Sequence, residues 1–139
     1  MTRRAAILVV EDDPSLRTTM CAVLALKNFS PLAAGSVDAA LKILGAEQVD
    51  AMVLDVRLPD PTGVHPSGLT LLKFLRATNE YARLPVLIFT GMQLTPAERE
   101  LVQASNAHVF YKPQSYSVLF DLLGGLLNPP GSSPSSGSA

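Results

Sequence analysis

The sequence predicts an α/β fold: a doubly wound, five-stranded parallel sheet with helices on both faces. Two observations lead to this prediction. Short apolar runs alternate five times with longer amphipathic stretches, and successive βα units form a parallel sheet through right-handed crossovers. The apolar runs also lack polar alternation, which is typical of strands that are covered on both faces.

The predicted strands are short, and three of them are rich in the β-branched residues that favour a pleated sheet. Each is followed by a stretch with helical spacing. In chain order the predicted strands are Ala5–Val10, Pro31–Ala34, Ala51–Leu54, Pro85–Phe89 and His108–Tyr111.

The predicted helices have apolar stripes and recognisable start signals. Apolar residues between Leu16 and Leu24 recur at i, i+4, i+7 and i+8, which is one face of a helix. Pro14 suits a first helical turn, and Thr95 with Glu98 has the spacing of a capping box. The predicted helices run from Pro14 to about Lys27, from Ser36 to near Gly45, from about Gly68 to Asn79, from Thr95 onward and from Ser115 to about Leu127.

The composition excludes several classes of protein. Of the 139 residues, 47% are hydrophobic, which suits one buried core and excludes a disordered chain. The net charge of −1 gives no bulk attraction to nucleic acid or to an anionic membrane. The single Cys21 excludes an internal disulfide, and no apolar run approaches the roughly 20 residues of a membrane span. We expect a cytoplasmic protein without direct nucleic-acid or membrane contact.

One domain is expected over residues 1–128. Residues 129–139 are rich in Pro, Gly and Ser and have no apolar periodicity, so we expect a disordered tail or linker there.

Polar side chains follow four of the five predicted strands. Glu11 and Asp12 follow the first strand, and Asp55 follows the third. Thr90 follows the fourth strand and Lys112 the fifth. Because ligands of a doubly wound sheet bind outside the carboxyl ends of its strands, these residues are the candidate functional site.

Three of these residues are carboxylates, and bringing them close together would cost electrostatic free energy. At about 4–6 Å and an effective dielectric near 20, each like-charged pair costs roughly 3–4 kcal/mol. Either a proton or a divalent cation is needed to relieve this repulsion. All-oxygen ligands favour Mg²⁺ or Mn²⁺ over zinc, and such a site suits phosphoryl transfer to a carboxylate.

The segments ILVVEDDP, MVLDVRLPDPTG, PVLIFTG and FYKP resemble, in order and spacing, the CheY-like receiver domain of two-component response regulators. The resemblance covers essentially residues 4–127. It implies a flavodoxin-like (βα)5 sheet in strand order 2-1-3-4-5. It also implies a signalling domain that catalyses its own phosphorylation and dephosphorylation, rather than a conventional turnover enzyme.

The resemblance also implies residue roles. Asp55 corresponds to the phosphoacceptor, which receives its phosphoryl group from a sensor histidine kinase or a histidine phosphotransfer protein. Thr90 and Lys112 correspond to residues that contact the phosphoryl group. Asp13 falls outside the acidic pair and is interpreted as a helix-start residue. The implied ligands of Mg²⁺ are Glu11, Asp12, Asp55 and the backbone carbonyl of Arg57.

The sequence departs from the family pattern at two places. Val109 lies three residues before Lys112, where the family usually has an aromatic switch residue, and a valine cannot swing a ring between buried and exposed states. Gly63 matches the family's glycine after the acceptor strand, but VHPSG then intervenes before the third helix. This is an insertion of about five residues, rich in turn-forming residues.

Other readings are possible from the sequence. The first alternative is a pseudo-receiver, which uses the fold as a phosphorylation-independent interaction module; Val109 and the inserted loop favour it, whereas the intact acidic residues oppose it. An unrelated enzyme on a similar sheet is also disfavoured. Asp55-Val56-Arg57 lacks the DxD pair of a toprim domain. A flavin or dinucleotide site needs a first loop rich in Gly and Ser, whereas the EDDP loop of this sequence repels phosphate without metal. The output partner is a downstream effector protein of unknown identity, and the apolar last helix also allows a homodimer.

Overall fold

The chain is described by a computed structural model over residues 4–56, 67–90, 94–111 and 116–127. Strands and helices alternate along it as the sequence predicts. The strands are β1 (Ala6–Val10), β2 (Ser30–Ala34), β3 (Ala51–Leu54), β4 (Val86–Thr90) and β5 (His108–Tyr111). The helices are α1 (Pro14–Leu26), α2 (Val37–Ala46), α3 (Ser67–Ala77), α4 (Pro96–Ala104) and α5 (Tyr116–Leu127). A short 3-10 helix, which the sequence analysis does not predict, covers Asn79–Tyr81.

The five strands form one parallel sheet in the order β2-β1-β3-β4-β5, which confirms the predicted topology. Strand order reverses between β1 and β3, because the chain builds outward from β1 in both directions. Val10 is in register with Ala34 on one side and with Leu54 on the other. The carboxyl ends of β1 and β3 therefore lie side by side at the switch point.

The core lies on both faces of the sheet. On one face, Leu8 and Val10 pack with α2, α3 and α4. On the other face, Ile7 and Val9 pack with α1 and α5. This alternation along one strand is the period of two that a strand requires, and it explains why β1 is apolar throughout.

The expectation that every strand is covered on both faces was wrong for β2. Only Ala34 of this strand is buried, and Ala33 is exposed. The physical reason is its position, since β2 is an edge strand and has a neighbouring strand on one side only. Short apolar side chains such as Ala33 cost little when they remain in water.

The helix starts agree with the sequence signals. The Asp13 carboxylate accepts hydrogen bonds from the backbone N–H groups of Ser15 and Leu16 at 2.9 and 3.3 Å, so it is the N-cap of α1. The capping box of α4 is present in both directions, with 2.9 Å and 3.1 Å between Thr95 and Glu98. These caps provide hydrogen-bond partners for backbone groups at the helix ends that would otherwise be unsatisfied.

Two expectations concern parts of the chain that lie outside the described residues. Of the apolar residues on α5, Leu119 and Leu123 are buried, whereas the side chains that would form a second, dimerising face lie outside the description. The tail over residues 129–139 also lies outside it. Both therefore remain predictions. Within the described ranges, no helix is long and apolar enough to cross a bilayer.

Arg76, in the last turn of α3, connects this helix by hydrogen bonds to the segment before β4 and to the end of α4. Its guanidinium donates hydrogen bonds to three backbone carbonyl oxygens. Nε bonds to Ser105 at 2.6 Å, and Nη1 bonds to Tyr81 at 3.2 Å and to Leu84 at 2.8 Å. The planar fork of arginine suits this arrangement, which a lysine ammonium does not reproduce.

Arg76→Met is expected to lower the free energy of unfolding by about 3 kcal/mol, because a hydrogen bond to a charged group contributes about 1.5–3 kcal/mol and the carbonyl groups lose their donor. Arg76→Lys should lose an intermediate amount. The measurement is urea denaturation followed by circular dichroism. Arg99→Met is the control, since Arg99 is exposed on α4 and should change stability by less than about 0.5 kcal/mol. Equal effects at the two positions would contradict this role for Arg76.

Candidate metal centre

The acidic residues are positioned by the ends of two neighbouring strands. Glu11 follows β1 directly, and its N–H donates to the carbonyl oxygen of Ala34 at 3.0 Å. Asp55 follows β3, and its N–H donates to the carbonyl oxygen of Val10 at 3.0 Å. The sheet ladder therefore continues one residue past the strands, and it fixes the backbone from which both carboxylates project.

Glu11, Asp12 and Asp55 form a cluster in which one carboxylate oxygen of each lies within 4.8 Å of the others. This is the convergence that the strand ends predict. Glu11 is 3% exposed and Asp55 is 6% exposed, whereas Asp12 is exposed. Negative charges this close repel strongly, and two of the three are poorly hydrated, so the cluster favours a positive partner.

The cluster fits a hard divalent cation. Ligand oxygens about 2.1 Å from an octahedral Mg²⁺ lie roughly 3–4 Å from one another, and the carboxylate oxygens of this cluster lie within 4.8 Å of one another. All donors are oxygens, as Mg²⁺ prefers. Asp12 is the exposed member of the cluster.

Asp13 does not belong to this cluster, as the sequence analysis predicts. Its carboxylate caps α1, and its N–H donates to Oε2 of Glu11 at 3.2 Å. This contact helps to orient the Glu11 side chain from within the same loop.

Thr90 ends β4 at the same edge of the sheet. It is fully buried and in register with Tyr111, the last residue of β5. Leu54 is in register with Ile88, so Asp55 is level with the residue before Thr90. Thr90 therefore lies one residue further toward the carboxyl end of the sheet than Asp55. The remaining candidates, Lys112 and Arg57, lie outside the described residues.

Gly68 is a site residue that the sequence analysis did not identify. A Cβ atom at this position would collide with the carbonyl oxygen of Asp55 and would lie 2.5 Å from the Cα of Val56. The start of α3 thus packs directly on the backbone of the acidic residue. The sequence analysis matched the family's glycine after the acceptor strand to Gly63, which lies outside the described residues. The sequence gives little indication of a role for Gly68 beyond the presence of a glycine in the first turn of a helix.

Arg17 was also missed, although it is a cation beside the acidic loop. Its Nη1 atom donates to the carbonyl oxygen of Glu11 at 2.8 Å. The sequence shows Arg17 only as a polar position on an amphipathic helix, and nothing local indicates that its side chain reaches back to the preceding loop.

Val109 is half-buried and packs against the core on the α2–α3–α4 face. Its register partner in β4 is Ile88, while the preceding His108 is exposed. The position usually taken by an aromatic switch residue therefore holds a packed aliphatic side chain in this protein.

The sequence matches the response regulator receiver domain over residues 7–123. The response regulator protein FleR of Pseudomonas aeruginosa is 31% identical over 119 residues, which are 86% of this chain and 24% of FleR. The chain spans 16% to 37% of the length of the other curated relatives compared.

Solved structures show the same fold. The chemotaxis protein CheY4 of Vibrio cholerae superposes with a TM-score of 0.78 at 24% identity, and the match covers 89% of this chain and 99% of CheY4. The response regulator TrrA of Thermotoga maritima, solved in complex with Mg²⁺-BeF, has a TM-score of 0.74 at 22% identity, and the match covers 88% of this chain and 99% of TrrA.

Proposed function

This chain belongs to the response regulator receiver domain family, and on that basis we propose that it accepts a phosphoryl group on Asp55 in two-component or phosphorelay signalling. The meeting of Asp55 with Glu11 and Asp12 at the switch point of the sheet is the observation that supports this proposal most directly. A carboxylate next to a cation site suits a nucleophile in phosphoryl transfer.

In the proposed reaction, a carboxylate oxygen of Asp55 attacks the phosphorus atom of a phosphohistidine. The O–P bond forms as the P–N bond breaks, and the departing imidazole nitrogen retains the bonding electrons and takes up a proton. The donor is a sensor histidine kinase or a histidine phosphotransfer protein. Because the backbone of Asp55 is hydrogen-bonded to β1 and lies close to Gly68, the residue that carries the nucleophile is positioned before the donor arrives.

The other site residues bind the transferred group and the cation. The Thr90 hydroxyl donates a hydrogen bond to a phosphoryl oxygen, and the Lys112 ammonium pairs with the phosphoryl charge. Mg²⁺, when bound, supplies positive charge that stabilises the phosphoryl oxygens; Mn²⁺ is the alternative ion. The proposed metal ligands are Glu11, Asp12, Asp55 and the backbone carbonyl of Arg57.

The proposal extends to the organisation of the chain. We propose that residues 1–128 are the receiver domain and that residues 129–139, which lie outside the described residues, are a tail or linker. The domain acts in the cytoplasm and signals by contact with a downstream effector protein. Because this chain corresponds to only part of the length of its relatives, their other activities are not assigned to it.

Intact-mass spectrometry with a small phosphodonor tests the proposed function. We expect one added phosphoryl group after incubation with Mg²⁺ and phosphoramidate, and no addition when a chelator replaces Mg²⁺. Borohydride then reduces an aspartyl phosphate to homoserine, and peptide sequencing should place that homoserine at residue 55. No addition, under conditions that label a control receiver, would refute phosphorylation and favour the pseudo-receiver alternative.

A further inference from the structure

Arg17 lies near the start of α1 and contacts the loop that carries two of the three clustered carboxylates. Its Nη1 atom donates to the carbonyl oxygen of Glu11 at 2.8 Å and lies 3.5 Å from that of Asp12. The shorter contact is a strong, charge-assisted hydrogen bond, and the longer one is at the limit of hydrogen bonding.

This contact completes the anchoring of Glu11. The Glu11 N–H donates to Ala34 at the end of β2, and its carboxylate accepts from the Asp13 N–H at 3.2 Å. Arg17 holds the remaining group, the carbonyl oxygen. The backbone N–H, the carboxylate and the carbonyl oxygen of Glu11 thus each have a hydrogen-bond partner, and the partner of the carbonyl oxygen is the long side chain of a residue on α1.

The space for the guanidinium is provided by Gly35. A Cβ atom at this position would lie 2.9 Å from Nη1 of Arg17 and 3.5 Å from its Cζ, and 2.9 Å is closer than van der Waals contact permits. Gly35 follows β2 directly, so the guanidinium lies between the end of β2 and the loop after β1. A larger residue at position 35 would have to displace it.

We propose that Arg17 is a positioning residue, which holds the Glu11–Asp12 loop in the geometry that binds the divalent cation. This inference rests on the proposed function. Arg17 touches neither substrate nor cation in this role; it acts through the backbone carbonyl of Glu11. Contacts of this kind behind metal ligands commonly change metal affinity by about 10–100-fold when they are removed.

The sign of the effect separates positioning from simple electrostatics. Arg17 carries a positive charge, so by charge alone its removal should strengthen the binding of a cation. If Arg17 holds the loop in place, its removal should weaken binding, because Glu11 and Asp12 then sample geometries that do not converge on Asp55. The two explanations thus predict opposite changes in the dissociation constant for Mg²⁺.

The test is isothermal titration calorimetry with Mg²⁺ on the full chain. Arg17→Gln is expected to raise the dissociation constant about 10-fold or more, and Arg17→Lys, which keeps the charge without the planar fork, by a smaller factor. Gly35→Ala should also weaken binding while leaving the charge in place. Arg99→Gln, which removes an exposed charge on α4, is the control and should not change the dissociation constant.

Two further measurements distinguish positioning from a general loss of structure. The thermal unfolding midpoint of Gly35→Ala should stay near that of the wild type, because only the end of a flexible side chain has to move. At saturating Mg²⁺, the rate of phosphoramidate labelling of Arg17→Gln should return to the wild-type rate, since the defect lies in metal affinity.

The outcomes distinguish a failure of the proposed role of Arg17 from a failure of the proposed function. Wild-type binding of Mg²⁺ together with equal or tighter binding by Arg17→Gln would overturn the role of Arg17 and leave the proposed function intact. Failure of the wild type to bind Mg²⁺ would overturn both. If Arg17→Gln does not fold, Arg17→Lys and Gly35→Ala decide the question, and unchanged affinity in both would overturn the inference.

Discussion

Gly68→Ala is expected to destabilise the fold by about 3 kcal/mol, near the upper end of the usual cost of overpacking, and to impair Mg²⁺ binding and phosphorylation. The added methyl group would meet the backbone of Asp55 and Val56. Backbone atoms cannot rotate away as a flexible side chain can. Either α3 moves away from the sheet, which costs packing, or the backbone of Asp55 shifts, which displaces its carboxylate from the acidic cluster.

Gly45→Ala is the matched control, because it makes the same change in a different helix. A Cβ atom at Gly45 meets nothing within 4 Å, and this residue is exposed on α2. Alanine there should stabilise the protein by about 0.5–1 kcal/mol, since glycine is entropically unfavourable inside a helix. Urea denaturation and intact-mass labelling measure both variants. Equal stability of Gly68→Ala and the wild type would refute the close packing of α3 on the acceptor strand.

Asp55→Asn is expected to abolish phosphoryl incorporation completely. A carboxamide has no anionic oxygen to attack phosphorus, and the cluster loses one of its three carboxylates. The fold should persist, because the substitution preserves side-chain volume and removes one of several close negative charges. Without divalent cations, we therefore expect the variant to be at least as stable as the wild type.

Asp38→Asn is the control for Asp55→Asn, since Asp38 is an exposed aspartate in the first turn of α2. It should be labelled by phosphoramidate as fast as the wild type. Intact mass gives the extent of labelling, and thermal unfolding reports the stability of each variant. Persistent Mg²⁺-dependent labelling of folded Asp55→Asn would show that another residue accepts the phosphoryl group.

Most of the fold was accessible from the sequence because its signals are local. Each buried strand is a short apolar run, and the α1 and α4 starts are indicated by Pro14 and by the Thr95–Glu98 pair. The exception is the edge position of β2, since its apolar side chains resemble those of a central strand. Burial at an edge depends on which helices cover it, and that is a tertiary property.

The acidic cluster was predictable for a different reason: the rule that ligands bind at the carboxyl ends of parallel strands converts sequence position into spatial position. That rule brings Glu11, Asp12 and Asp55 together. It says nothing of Gly68 and Arg17, because their roles depend on how closely α3 approaches the sheet and on how far a side chain reaches. Such contacts have no local pattern in the sequence.

The hydrogen bonds of Arg76 lie near the end of the sheet opposite to the acidic cluster. Along β4, from Val86 to Thr90, the chain advances by about 13 Å, beyond the distance at which substitutions usually couple. Changes at the two ends should therefore combine additively. A substitution at the acidic rim should therefore change cation affinity and stability by the same amounts whether Arg76 is present or replaced.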